Sequence, residues 1–407
     1  SGTADYEAIN NGKIQFGDNS AGLYGVNGAR LLNTGTVTVG NKSLGLSSED
    51  SSHLRNEGTV KTENDSVGIS AENTELVENT GNVSAAGENI TGLYSKTTGT
   101  SVINNEGIID LSGKNTTGVY LENGGQQIFN NKGTIKTGSS DSAEMSNTAV
   151  YNDGHVVNNS GEIISTGNTA GIYNNNGLVN HSAGSIISDA DGLGIYSAGG
   201  KLELTGGIIS TAGIGIYAEN NTEIINTGTA MKVSDNGKGY ILKSGSYMTN
   251  HGNAEIGTGS VYVYGDNAGE IINNASSISM TGSNSVGFYL TNSGNVTNKA
   301  DITGLSTGNV GIYSDKGSIT NSGNIVLGDS MIIDPDDSSK NNYSVGIYAK
   351  GAEVANTGNI KTGTRGTGIY TENNKLTNSG VISSDGEYAV GLWGKTATVK
   401  NNGEIIM

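Results

Sequence analysis

The sequence predicts an all-β fold: a single right-handed parallel β-helix of roughly 17 coils, each of about 23 residues. Three observations predict it. A box of the form Asn-x-Gly-x-(Ile/Val) recurs along the chain, at first every 23 residues, at Asn10, Asn33, Asn56 and Asn79. A second box, Gly-(Ile/Leu/Val/Phe)-(Tyr/Trp), alternates with it, as in Gly92-Leu93-Tyr94, Gly171-Ile172-Tyr173 and Gly391-Leu392-Trp393. Around the first box the apolar and box residues occupy every second position, as in Val354, Asn356, Gly358 and Ile360, which is the period of a strand.

Each part of the repeat then has an expected place. Each coil is expected to hold two or three short strands joined by turns, which 23 residues supply. Strands of successive coils pair about 4.8 Å apart, so like side chains stack over like. Ile and Val fill the interior. The box Asn is expected at a turn, tolerating left-handed dihedrals and bonding its amide to the next coil. The Gly two places on is expected to take a conformation closed to other residues. Degenerate copies of the box stand near Asn180, Thr205 and Asn274. The Tyr column is expected to be an architectural ladder of stacked rings. Helical solenoids need repeats of about 33 residues or more and a 3.6-residue period. Leucine-rich repeats share the length and an Asn ladder but carry more Leu.

The whole of 1–407 is expected to be one continuous β-helix segment. Insertions interrupt it near 138–147 and 328–342, and the region near 232–260 is the most irregular. Insertions in a solenoid project as loops, often on the binding face. Binding residues are therefore expected among Asp141 and Glu144 in the first insertion and Asp334, Asp336 and Asp337 in the second. The Asp334–Asp337 spacing falls short of a calcium loop, so no metal is expected.

Composition excludes several classes. The formal charge is −17, from 22 Lys and Arg against 39 Asp and Glu, which disfavours nucleic acid and anionic membranes. No apolar run spans a bilayer as a helix, so no direct membrane insertion by this segment is expected. There is no cysteine, so disulfides, thiol catalysis and thiolate metal sites are absent. His181 and His251 each follow a box Asn and are expected in exposed turns. No His-Glu-x-x-His pattern, phosphate loop or carboxylate cluster stands out, so neither catalytic residues nor a cofactor is expected.

Arrays alternating Gly-Ile-Tyr and Asn-x-Gly-x-Ile boxes, low in Cys and Pro, resemble passenger domains of bacterial type V autotransporters. They are most similar to the very long fusobacterial outer-membrane adhesins, over essentially the whole chain. The resemblance implies a cell-surface location, with the passenger held by a C-terminal membrane barrel absent from this chain. It also implies partners among host-cell surface proteins, glycans or other bacteria. The chain is expected to be a segment cut from a longer passenger, because it starts and stops inside the array. A passive stalk is the alternative function, and a polysaccharide-active enzyme a more distant one.

Overall fold

The structure is a computed structural model and describes residues 8–138, 147–337 and 340–407. It is a parallel β-solenoid of about 17 turns, with no α-helix among the described residues. One turn carries strands Arg30–Asn33, Thr36–Thr38 and Leu44–Glu49; the next carries His53–Asn56, Thr59–Thr62 and Val67–Glu72. All three pair in parallel, Arg30 with His53, Thr36 with Thr59 and Leu44 with Val67, so one turn is 23 residues. The chain divides into two compact units, Ser1–Ile208 and Ile209–Met407.

In the first unit each strand sends one aliphatic column inward. Leu31, Leu54, Val77 and Ile103 stack on the first wall, Val37, Val60 and Val83 on the second, and Leu46, Ile69 and Leu93 on the third. These side chains are essentially inaccessible to solvent. Each contributes roughly 1.5–3 kcal/mol by burial, so three per turn carry the turn.

At the end of the first strand the box Asn residues form a buried amide ladder. Asn33 Nδ2 donates to Asn56 Oδ1 at 2.8 Å, Asn56 to Asn79 at 2.8 Å and Asn79 to Asn105 at 2.8 Å. These residues are not left-handed. The left-handed asparagines are others, such as Asn19, Asn89 and Asn115, in the turns before the third strand. The expectation for the box Gly is also corrected. Gly58 and Gly81 have ordinary dihedrals. A Cβ on Gly58 would lie 2.0 Å from the Gly35 carbonyl oxygen, and one on Gly81 2.0 Å from that of Gly58. At these two glycines close approach of stacked backbones, and not dihedral freedom, excludes a side chain.

His181 corrects a second expectation. It pairs in register with Asn159, lies fully buried at the ladder position, and its Nδ1 accepts from Asn159 Nδ2 at 3.0 Å. The preceding Asn180 points outward instead, donating to Asn158 Oδ1 at 2.8 Å. His251 is exposed, as expected.

The second unit repeats the plan. Its ladder runs through Asn226, Asn250, Asn273, Asn298 and Asn321 with spacings of 2.7–2.8 Å, Asn273 rather than Asn274 being the ladder residue. The region 232–260 contains regular strands Lys238–Lys243, Tyr247–Asn250 and Ala254–Ile256. Within it and just after it, two tyrosine side chains turn inward. Tyr240 and Tyr262 are fully buried, edge-on to one another at 5.5 Å. Their hydroxyls accept from the ladder amides of Asn226, at 3.2 Å, and Asn250, at 3.0 Å. Burial pushes the Tyr240 hydroxyl up to about 12. Elsewhere the Tyr column stacks on the outer surface as a ladder. Tyr151 and Tyr173 are 4.9 Å apart in the first unit, and Tyr348 and Tyr370 4.4 Å apart in the second.

Candidate functional site

The second insertion is a built loop. Met331 and Asn342 bridge its base, with N–O distances of 2.7 and 2.9 Å. The Asn341 side chain organises its tip, accepting from the Ile333 and Asp334 amides at 2.7 and 2.9 Å and donating to the Asp334 carbonyl at 2.9 Å. Ser330 fastens the loop to the next turn. Its amide donates to the Thr364 carbonyl at 2.9 Å and its hydroxyl to the Arg365 carbonyl at 2.8 Å.

The expected acidic residues fall within this loop. Lys340 Nζ lies 2.9 Å from the Asp334 carboxylate and 3.4 Å from that of Asp337. The Asp336 amide donates to Asp334 Oδ1 at 3.0 Å. The Lys340 ammonium, with these amides, holds the Asp334 carboxyl below the usual carboxylate range. The group is a self-bonded turn in which one ammonium stands against three carboxylates, so it keeps a net negative charge. Among the described residues no cluster of three or more His, Cys, Asp or Glu is placed to hold a metal. Asp141 and Glu144 of the first insertion lie outside the described residues.

Beside the loop a groove of about 600 Å³ is lined by Ile332, Pro335, Asn341, Tyr343, Arg365, Thr367, Tyr388 and Val390. Three of these share one turn position. Val345, Thr367 and Val390 are register partners, and Tyr343, Arg365 and Tyr388 each stand two residues before them. In earlier turns that position carries Asn19, Lys42, Asp65, Asn89, Asn115, Asn236, Asn284 or Gly308, all left-handed, while Asn168, Asp191 and Ala212 hold it without a positive φ. Arg365 and Tyr388 keep the left-handed backbone, with φ of 55° and 59°, although both are bulky. Of the twenty non-glycine residues with positive φ among the described residues, fifteen are Asn or Asp, so these two run against the habit of the fold. The Arg365 guanidinium sits 5.2 Å from the centre of the Tyr388 ring. Among the described residues it makes no ion pair. The signal was present in the sequence three places before each Gly of the Gly-Ile-Tyr box, but it shows only when the turns are aligned in columns.

Elsewhere Arg55 bridges Glu57, at 2.7 Å, and Glu78, at 3.5 Å, and His53 Nε2 lies 2.7 Å from the same Glu78. This surface cluster brings two carboxylates beside basic groups. Each carboxylate in it has a cation or imidazole partner.

The model of one family, the BigA third pectate lyase-like domain, matches residues 51–262 and again residues 194–407. The chain belongs to this family. It is a pectate lyase-like β-helix domain of the BigA type, and domains of this kind come from surface-displayed bacterial proteins. No curated protein and no solved structure matches the chain.

Proposed function

We propose that this chain is a segment of a bacterial surface adhesin that binds host-cell or bacterial surface receptors or glycans outside the cell, without catalysis. The observation that carries this reading is the groove beside the 328–342 loop. There an otherwise repetitive wall gives up its Asn and Gly turn residues for Tyr343, Arg365 and Tyr388. A solenoid repeats what architecture needs, so a local departure marks what recognition needs. The autotransporter passenger, of the fusobacterial kind, is the finer form of the same proposal. Deleting residues 329–342 should abolish or sharply weaken adhesion of the purified chain to cells; undiminished adhesion would remove this loop from the reading.

The loop carboxylates favour the non-catalytic form of this reading. Glycoside cleavage by paired carboxylates needs one of them held protonated near neutral pH. The Asp334 carboxyl, the shifted member of the loop pair, moves the opposite way. Release of unsaturated products or new reducing ends from polygalacturonate would overturn this part. A second reading, a passive stalk, is favoured by the unbroken ladder from Asn10 to Asn159, in which turn after turn repeats the last. It predicts that the chain binds no cell type that the intact protein binds.

A further inference from the structure

We propose that the Tyr343–Arg365–Tyr388 groove is a carbohydrate site for a pyranose that carries a single carboxylate, of the sialic-acid type. The inference rests on the adhesion reading and gives it a ligand class. Of the residues lining the groove, Arg365 alone is charged. The nearest loop carboxylate, Asp334, is already engaged by Lys340 at 2.9 Å. A planar guanidinium with no carboxylate of its own offers parallel N–H donors to a carboxylate. The Tyr388 ring, three-quarters exposed, and the Tyr343 ring provide flat apolar faces for the C–H side of a sugar. Ile332, Pro335 and Val390 extend the apolar shelf, and the Thr367 hydroxyl adds a polar contact.

The groove is also built in advance. Ser330 ties the loop wall to the Arg365 carbonyl at 2.8 Å, so little ordering remains to be done on binding. Arg365 and Tyr388 occupy a left-handed turn position that Asn, Asp or Gly fills in the other left-handed turns apart from Lys42, a strain that architecture alone does not call for. Flanking Asp336, Asp337 and Glu387, within a chain of net charge −17, repel a polyanion such as an acidic peptide. A sugar with a single carboxylate meets one guanidinium.

The test is titration calorimetry on the whole chain with sialyllactose, trigalacturonate, lactose and a Glu-rich peptide as separate probes. Arg365→Asn and Tyr388→Asn restore the residue this turn uses elsewhere, so both variants should fold, with thermal midpoints equal to or above the parent. Expected is binding of sialyllactose, no binding of trigalacturonate or lactose, and a loss of about tenfold or more in each variant. No binding of sialyllactose, equal binding of trigalacturonate or lactose, unchanged affinity in Arg365→Asn, or preference for the peptide would each overturn the assignment. If no sugar binds while the chain still adheres to cells through the loop, the ligand class falls and adhesion stands. If sialyllactose binds but the chain adheres to no cell, adhesion falls and the ligand class stands.

Discussion

Asn159 donates its amide hydrogen to His181 Nδ1, so the ring keeps its own proton on Nε2 and turns its basic nitrogen toward a donor. Burial pushes this imidazole down to about 4. An unfolded chain protonates the same ring near its ordinary 6.5. Between those values the unfolded state holds more protons, so stability is complete above the upper one and falls as pH drops through the interval. The loss is on the order of 3 kcal/mol. His181→Asn should continue the ladder and remove this component. Urea midpoints measured at neutral pH and again in mild acid should converge in the variant relative to the parent, and an equal acid loss in both would contradict the assignment. The position was not legible along the chain, because the Asn180 box points to the wrong residue. Only pairing with Asn159, 22 residues back, selects His181. The binding residues show the same limit. Asp334, Asp336 and Asp337 stand out along the chain as an acidic group, yet Asp334 is spent on Lys340 and the Asp336 amide, and Asp337 on Lys340. Tyr343, Arg365 and Tyr388 went unread because their common feature is vertical.

The strands were legible because two boxes in fixed phase dictate which side chains face inward, and period two leaves no helical alternative. Local backbone geometry was less so. The box Gly looked like a turn residue, but its column is defined by the carbonyl beneath it. Gly58→Ala would place a Cβ 2.0 Å from the Gly35 oxygen, and backbone cannot yield as a flexible side chain would. The turn must part locally, at a cost of about 1–3 kcal/mol or more. A chemical denaturation curve for Gly58→Ala with its midpoint at the parental value would refute the steric account. The two inward tyrosines were equally hidden. Tyr262 takes a place that Gly239 and Gly287 hold in the adjoining turns, and its burial becomes affordable because Asn250 donates to its hydroxyl. Tyr262→Phe should deprive the buried Tyr240 hydroxyl of its Tyr262 partner and lower stability by about 1–2 kcal/mol, readable as a drop in thermal midpoint.

At the scale of the molecule, nearest-neighbour stacking makes stability a sum over turns. Removing residues 57–79 joins Asn56 to Thr80 and leaves an intact Asn-x-Gly-x-Val box, so that variant should fold with strand content per residue unchanged. Removing residues 57–68 cuts about half a turn, deletes the strand Thr59–Thr62 and leaves that turn unable to close in register, so this variant should aggregate. Circular dichroism and sedimentation distinguish the two outcomes. The formal charge of −17 keeps such a repetitive surface apart from its own copies, so salt should promote association of the chain. The amide ladder has one more consequence. Every ladder bond from Asn10 to Asn159 points the same way, each Nδ2 reaching the oxygen of the turn that follows in sequence. The column is therefore polar, like a ratchet, and a mechanical pull on the first unit should meet it one tooth at a time. Each yielding step would release a coil of 23 residues, about 80 Å of contour length, giving a sawtooth in force spectroscopy.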